Sequence, residues 1–296
     1  MGMNAWILAS RPKTLPAAVA PVLLAAAAAW ADGRFDPVPA CICLAFALLI
    51  QVGTNFANDY HDFVKGADTA ERVGPTRAVA AGLLTPAAMK RATWLVFAAA
   101  FAVGLLLVPY GGWWLVAVGV SSVLFGYAYT GGPYPLGYNG VADPFVFVFF
   151  GCVAVTCSYF VTTGQRPGLD ILAISFVPGA LSVNLLAVNN HRDAETDKKA
   201  GKRTPAVRFG RGFVRAEYIS CLAIALLVPA LLPLSGRGPW IWLALATAPE
   251  GVATCKAFLD AQDGPAHNRV LGRTARYLAL HSAALAAALM LDKALR

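Results

Sequence analysis

Apolar residues in this chain neither alternate nor recur at helical spacing; they run on without interruption. Nine such runs stand out: Leu15–Ala31, Pro39–Asn55, Ala92–Val108, Gly112–Tyr129, Val141–Val161, Leu169–Asn189, Ala216–Leu232, Trp240–Phe258 and Arg276–Leu291. Each is bounded by Gly, Pro or charge, the residues that stop a buried helix. A membrane-spanning helix takes about 20 largely apolar residues. The pattern therefore predicts an all-α integral membrane protein of about nine transmembrane helices, folded as one domain over residues 1–296. The run that follows Arg11 and Lys13 is read as a retained first span rather than a cleaved leader.

Composition agrees: 58% of the residues are hydrophobic, 14% are charged, and the mean hydropathy is +0.59. A typical soluble domain is far less apolar and far more charged. When the loops are assigned to alternate sides, 19 of the 24 Lys and Arg residues fall on one side and 5 on the other. Basic residues collect on the cytoplasmic side of a membrane, so the N-terminus is expected in the cytoplasm and the C-terminus outside. For a bacterial chain this is the inner membrane. The net charge of +8 is accordingly a property of a few loops that face anionic lipid, and no nucleic-acid module accompanies it. Six cysteines lie in or beside apolar runs without metal-ligand spacing, and read as small core residues.

Topology does not explain the acids. Seven of sixteen fall in two long segments on the basic side, Phe56–Arg91 and Asn190–Arg215. The first opens NFANDYHDFVKGAD, with Asn55, Asp59 and Asp62 at i, i+4 and i+7, and Asn58 and Asp62 at i, i+4. The second opens NNHRDAETDKKAGKRT, with Asn189, Asp193 and Asp197 at i, i+4 and i+8. If the preceding spans continue as helices, each set points one way. Both segments follow even-numbered spans, so both emerge on the same face. Two halves of four helices each, about 1–140 and 141–296 with the ninth helix added, would set them opposite one another across a central cavity.

Gathered carboxylates repel unless something positive lies among them. Oxygen ligands from Asn58, Asp59, Asp62, Asp68, Asp193 and Asp197 suit Mg2+, which completes its shell with water and substrate phosphates. Asn55, Asn189 and Asn190 add polar contacts to a substrate. The cations Lys65, Arg72, Arg77, Lys202 and Arg203 then read as clamps for a diphosphate that a metal alone cannot neutralise. One charged loop is commonly just a solvated face; two matching ones at the same membrane edge argue for a site. His61 and His191 sit inside the clusters, but oxygen-rich Mg2+ sites seldom use imidazole.

At these residues the chain resembles the UbiA superfamily of intramembrane prenyltransferases. NDYHD (Asn58–Asp62) and DAETD (Asp193–Asp197) stand where that superfamily has its two aspartate motifs. RPKTL, ERVGPTRAV, YTGGPYPLGYNG and KKAGKRTPAVRFG extend the resemblance over essentially the whole chain, toward the branch that prenylates 1,4-dihydroxy-2-naphthoate. One departure is that the last acid of the general NDxxDxxxD pattern would fall at Gly66, whereas here it is Asp68.

The resemblance implies a bundle with a cytoplasmic-side site, two Mg2+ ions, and a polyprenyl diphosphate ionised at its allylic C–O bond. Catalytic roles then fall to Asp59, Asp62, Asp193 and Asp197. The acceptor would be the naphthoate ring, which loses CO2 to give demethylmenaquinol, the step that builds menaquinone. Phe56, Tyr60, Tyr127, Tyr129 and Tyr138 are candidates to face the allylic cation. Arg11 or Lys13 would meet the acceptor carboxylate or the diphosphate, and the isoprenoid tail would lie in an apolar groove open to membrane lipids.

Transfer to another acceptor, such as 4-hydroxybenzoate, homogentisate or haem, is the neighbouring reading. An ion-coupled transporter would also place Asn and Asp at helix ends, but it does not call for a surplus of phosphate-binding cations. A membrane scaffold gives no reason for the Asn/Asp periodicity.

Overall fold

The computed structural model describes residues 2–68 and 73–295. Among these the chain is all helical, in ten principal helices. α1 (Gly2–Ser10) and α2 (Pro16–Ala31) are separated by the RPKT segment. The two form a bent pair, with an angle of 51° at the break. Pro12 and Pro16 cannot continue a hydrogen-bond ladder, and Arg11 has φ 51°, the one non-glycine residue with positive φ among those described.

α3 (Pro37–Val64) begins at Asp36, whose side chain accepts the Val38 N–H, with Pro37 in the first turn. At ~1.5 Å per residue its 28 residues span about 42 Å, beyond the ~30 Å hydrocarbon core. The surplus is the Asn55–Asp62 stretch, so the first motif is the last two turns of an over-long helix rather than a loop. α7 (Leu169–Lys199), with 31 residues, does the same for Asp193 and Asp197.

Between them lie α4 (Pro86–Leu105), α5 (Trp114–Ala128) and α6 (Ala142–Thr163). α6 widens to a π-helical segment over Val148–Val153. There Gly151 meets Gly179 of α7 so closely that a Cβ on either would strike backbone. Then follow α8 (Arg211–Leu231), a 3-10 segment Pro239–Thr247, α9 (Ala248–Asp260) and α10 (Gly264–Ala294).

Most of each expected run is helical, but the count is smaller by length. Among the described residues six helices are long and apolar enough to cross a membrane, and a seventh is if the bent pair is one span. α5 has 15 residues, and the run expected at Trp240–Phe258 is broken between the 3-10 segment and α9. The protein is thus an integral, multi-pass membrane protein.

α3 packs along α4, α7 along α8, and α10 along α2, which closes the bundle. The Ala-rich α2 and the deeply buried α7 form its middle, where Leu24, Ala25, Ala28, Ile174, Val177 and Leu181 are fully enclosed. At the end away from the aspartate motifs, Arg237 ties three elements together. It pairs with Asp32 (2.7 Å) after α2 and with Asp170 (2.5 Å) on α7, while Tyr159 Oη donates to Asp32 Oδ2 (2.7 Å). Hydrogen bonds and charges from the two carboxylates raise the Arg237 pKa against the effect of burial.

Candidate active site

A cavity of about 540 Å3 opens between the ends of α3 and α7. Its walls carry Arg11, Lys13, Asn58, Asp62, Arg77, Asn189, Asn190, Asp193, Asp197 and Lys202. The motifs come within reach of one ammonium group: Lys202 Nζ lies 3.1 Å from Asp62 Oδ1 and 4.0 Å from Asp197 Oδ1. Residues 62 and 197, far apart in the chain, therefore face a common space.

Asp62 is the hub of the first half. Its Oδ2 accepts Arg77 Nη2 (3.0 Å), and its Oδ1 accepts both Tyr138 Oη (2.8 Å) and Lys202 Nζ (3.1 Å). Two ammonium groups, Lys65 and Lys202, lie over the Tyr138 ring, each 4.6 Å from its centroid. Burial, and then the Asp62 charge, push the Tyr138 phenol far above its ordinary pKa, so the hydroxyl remains a donor. Burial lowers the Lys65 pKa; the Asp62 carboxylate opposes this and the Lys202 charge adds to it. Lys65 Nζ itself donates to the Thr130 carbonyl (2.6 Å), and Thr130 Oγ1 donates to Asn58 Oδ1 (2.9 Å). The Tyr138 loop can lie this close because Gly140, at φ 67°, has no Cβ to press on the Arg203 carbonyl. Arg203 contributes its backbone N–H to the Tyr138 carbonyl (2.7 Å), and its side chain is exposed.

The other residues of the first motif turn elsewhere. Both Asp59 oxygens accept backbone N–H groups, from Ala78 (2.9 Å) and Val79 (3.0 Å), so Asp59 fastens the segment that carries Arg77. Asn55 Nδ2 donates to the Ser10 carbonyl (2.9 Å) and Thr14 Oγ1 (3.1 Å), which holds the break that presents Arg11 and Lys13. Asp68 lies 3.6 Å from Arg77 Nε, behind the wall. The expectation of one shared direction thus divides. At 100° per residue, the Asn55/Asp59 and Asn58/Asp62 pairs differ by about 60° around α3, and only the second pair reaches the cavity.

On α7 the whole set reaches it. Asp193 is gripped through both oxygens by Arg192 Nε and Nη2 (2.7 Å each), a bidentate pair that spacing alone did not single out. Asn189 Nδ2 donates to the Leu185 carbonyl (3.0 Å). Arg72 lies outside the described residues. Tyr127 stacks on Trp94 (5.1 Å) and meets His61 edge-on (5.0 Å), away from the walls. Phe56 packs on Trp6 (5.5 Å) and Tyr60 on His61 (4.9 Å), which leaves Tyr129 and Tyr138 as the aromatic residues on the walls.

Tyr129 also lines a second cavity, of about 160 Å3, that runs between the helices. Its walls are apolar, including Val22, Phe46, Gly119, Phe125, Phe149 and Val161. A charged chamber and an apolar one thus share a Tyr wall, an arrangement that accommodates an amphiphile with an anionic head and a hydrocarbon tail.

The donors that face the charged chamber are carboxylate and amide oxygens, the set that Mg2+ prefers. Among the described residues no three His, Cys, Asp or Glu close on one point. The acids stand on opposite walls instead, so a cation bridging them would need oxygen ligands from a bound substrate, as Mg2+ commonly takes from phosphates.

Comparison with known proteins gives the family and the fold. The model of the UbiA prenyltransferase family matches residues 18–290. Over 245 residues the chain is 40% identical to 1,4-dihydroxy-2-naphthoate octaprenyltransferase of Mycobacterium tuberculosis, covering 82% of each chain. It is 36% identical over 282 residues to the Escherichia coli protein of the same name, covering 92% of this chain and 91% of that one. Among solved structures, a UbiA homologue from Archaeoglobus fulgidus bound to DMAPP and Mg2+ superposes with a TM-score of 0.62, at 15% identity, over 95% of this chain and 98% of that one.

Proposed function

The chain belongs to the UbiA prenyltransferase family, and we propose that it transfers a polyprenyl group from a polyprenyl diphosphate to 1,4-dihydroxy-2-naphthoate, a step of menaquinone synthesis. The observation that carries the reading is Lys202 Nζ placed between Asp62 and Asp197, which brings both motifs to one anion-sized chamber beside an apolar one.

Asp62, Asp193 and Asp197, with the Asn58 side-chain oxygen, would hold Mg2+, two ions on our reading, which supplies charge to draw electrons from the diphosphate. The A. fulgidus homologue, solved with DMAPP and Mg2+ bound, supports the use of Mg2+. Arg77, Arg192 and Lys202 already lie against these carboxylates, and Lys13 and Arg11 line the same walls. Their charge would balance the leaving diphosphate as the allylic C–O bond breaks with its electron pair on oxygen. The Tyr129 and Tyr138 rings would face the allylic carbon, and the apolar chamber would keep water from it. A new C–C bond then forms at the ring carbon that bears the carboxylate, and the C–CO2 bond breaks to release CO2. We assign the basic end to the cytoplasm by the asymmetry of its Lys and Arg. We also take 1–140 and 141–296 as related halves of one domain, a division that the matching α3–α4 and α7–α8 pairs support.

The test is an acceptor panel with purified protein, Mg2+ and a polyprenyl diphosphate. Dihydroxynaphthoate should give a prenylated naphthoquinol with release of CO2. Prenylation of 4-hydroxybenzoate but not of naphthoate would overturn the acceptor assignment, and loss of turnover in EDTA, restored by Mg2+, checks the metal.

A further inference from the structure

The two halves of the site share a bracket that belongs to neither motif. Asn268 stands in the second turn of α10, on neither of the two helices that carry the motifs. Its Oδ1 accepts Arg192 Nη1 (2.8 Å), the same guanidinium whose Nε and Nη2 grip Asp193. Its Nδ2 donates to the Val73 carbonyl (2.9 Å), four residues before Arg77, which pairs with Asp62. One amide thus accepts from the α7 side through its oxygen and donates to the α3 side through its nitrogen.

The surroundings make the bracket stiff. Asp263 Oδ1 caps α10 by accepting the Ala266 N–H (2.6 Å). His267 Nδ1 pairs with the Asp263 carbonyl (2.6 Å), an acceptor, so this nitrogen must carry the proton. His267 Nε2 is then an acceptor, His191 Nδ1 the donor to it (2.8 Å), and His191 Nε2 the acceptor for Arg215 Nε (3.2 Å). Each link fixes the next, and α7 is locked to α10 one residue away from both Arg192 and Asn268. On the other side, Val73 sits on Gly264 so closely that a Cβ there would overlap its side chain.

We propose that Asn268 is a positioning residue that sets the spacing between the Asp62–Arg77 and Arg192–Asp193 halves, and so the affinity for a prenyl diphosphate bound between them. The proposal rests on the diphosphate reading of the chamber, not on the identity of the acceptor.

Three variants of the full chain separate its parts, with Asn268→Gln as the conservative rescue. Asn268→Ala loses both bonds. Asn268→Asp keeps an acceptor for Arg192 but turns an oxygen toward the Val73 carbonyl. Gly264→Ala displaces Val73 and leaves Asn268 to Arg192. The readouts are equilibrium binding of a non-hydrolysable prenyl thiodiphosphate with Mg2+, amide exchange over residues 73–79, and the KM for diphosphate and for acceptor. Asn268→Ala should weaken thiodiphosphate binding about tenfold or more, the scale of one lost charge-assisted hydrogen bond. It should also speed amide exchange over 73–79 and leave the acceptor KM within about twofold. Asn268→Asp and Gly264→Ala should each fall between Asn268→Ala and the parent, and Asn268→Gln should recover part of the loss. Thiodiphosphate binding unchanged in Asn268→Ala, or diphosphate and acceptor KM rising in parallel, would overturn the proposal. If instead the parent protein binds the thiodiphosphate but does not prenylate naphthoate, the acceptor reading fails and the bracket stands.

Discussion

Tyr138 offers the sharpest test of how the chamber works, because its ring and its hydroxyl do different things. The hydroxyl donates to Asp62 Oδ1 at 2.8 Å, and the ring face meets the Lys65 and Lys202 ammonium groups at 4.6 Å each. Tyr138→Phe removes the first and keeps most of the second; Tyr138→Leu removes both. A hydrogen bond to a charged acceptor contributes about 1.5–3 kcal/mol. Asp62 Oδ1 keeps Lys202 at 3.1 Å, so the lower end applies. About 1.5 kcal/mol is a roughly tenfold fall in kcat/KM, since each 1.36 kcal/mol of barrier is a factor of ten. Each cation–π contact adds about 0.5–1 kcal/mol where partly exposed, so Tyr138→Leu should lose roughly a further five- to thirtyfold. The assay is steady-state prenyl transfer at saturating Mg2+, repeated from pH 6 to pH 9. Because burial and Asp62 hold the phenol pKa far above that range, the hydroxyl keeps its proton throughout. The ratio of parent to Tyr138→Phe should therefore be flat with pH. A ratio that collapses toward one as pH rises, or a Leu variant no worse than Phe, would refute the reasoning.

Asp59→Asn should raise the KM for the diphosphate while Mg2+ affinity changes little, because both Asp59 oxygens serve the Ala78 and Val79 amides; Asp62→Asn should lose Mg2+ affinity at least tenfold by titration. Arg237→Ala leaves Asp32 and Asp170, 27% and 21% exposed, without their shared cation. Discounted for that exposure, the loss is about 2 kcal/mol, seen as a lower melting temperature with both KM values unchanged. Gly119→Leu extends a side chain into the apolar cavity of about 160 Å3, where a Cβ meets only Phe101, at 3.9 Å. Competition between diphosphates of different length should then shift toward the shorter chain; an unchanged preference would place the tail elsewhere.

Read as a sequence, the chain already implies the helices, the basic end and the common end of NDYHD and DAETD. Those features are local: an apolar run has few places to go but a bilayer, and the i, i+4 spacing fixes which residues share a helix face. Asp193 and Asp197 are legible in this way, and both line the chamber. Asp59 and Asp62 are not distinguished by it, since about 60° of rotation around α3 sends one to a backbone clip and the other to the cavity. Neither is the length of α3 and α7, whose 28 and 31 residues exceed the roughly 20 that a hydrocarbon core needs and make the motifs helical turns instead of loops. The partners were hidden for a plainer reason. Arg77, Tyr138 and Lys202 meet Asp62 from 15, 76 and 140 residues away, and Asn268 reaches Arg192 across 76. No periodicity records such contacts, because only the packing of separate helices brings those atoms within hydrogen-bond distance. The sequence determined which residue types gather at one end of the bundle; the tertiary structure decided which of them touch, because side-chain hydrogen bonds depend on ångströms set by helices that are strangers in the chain.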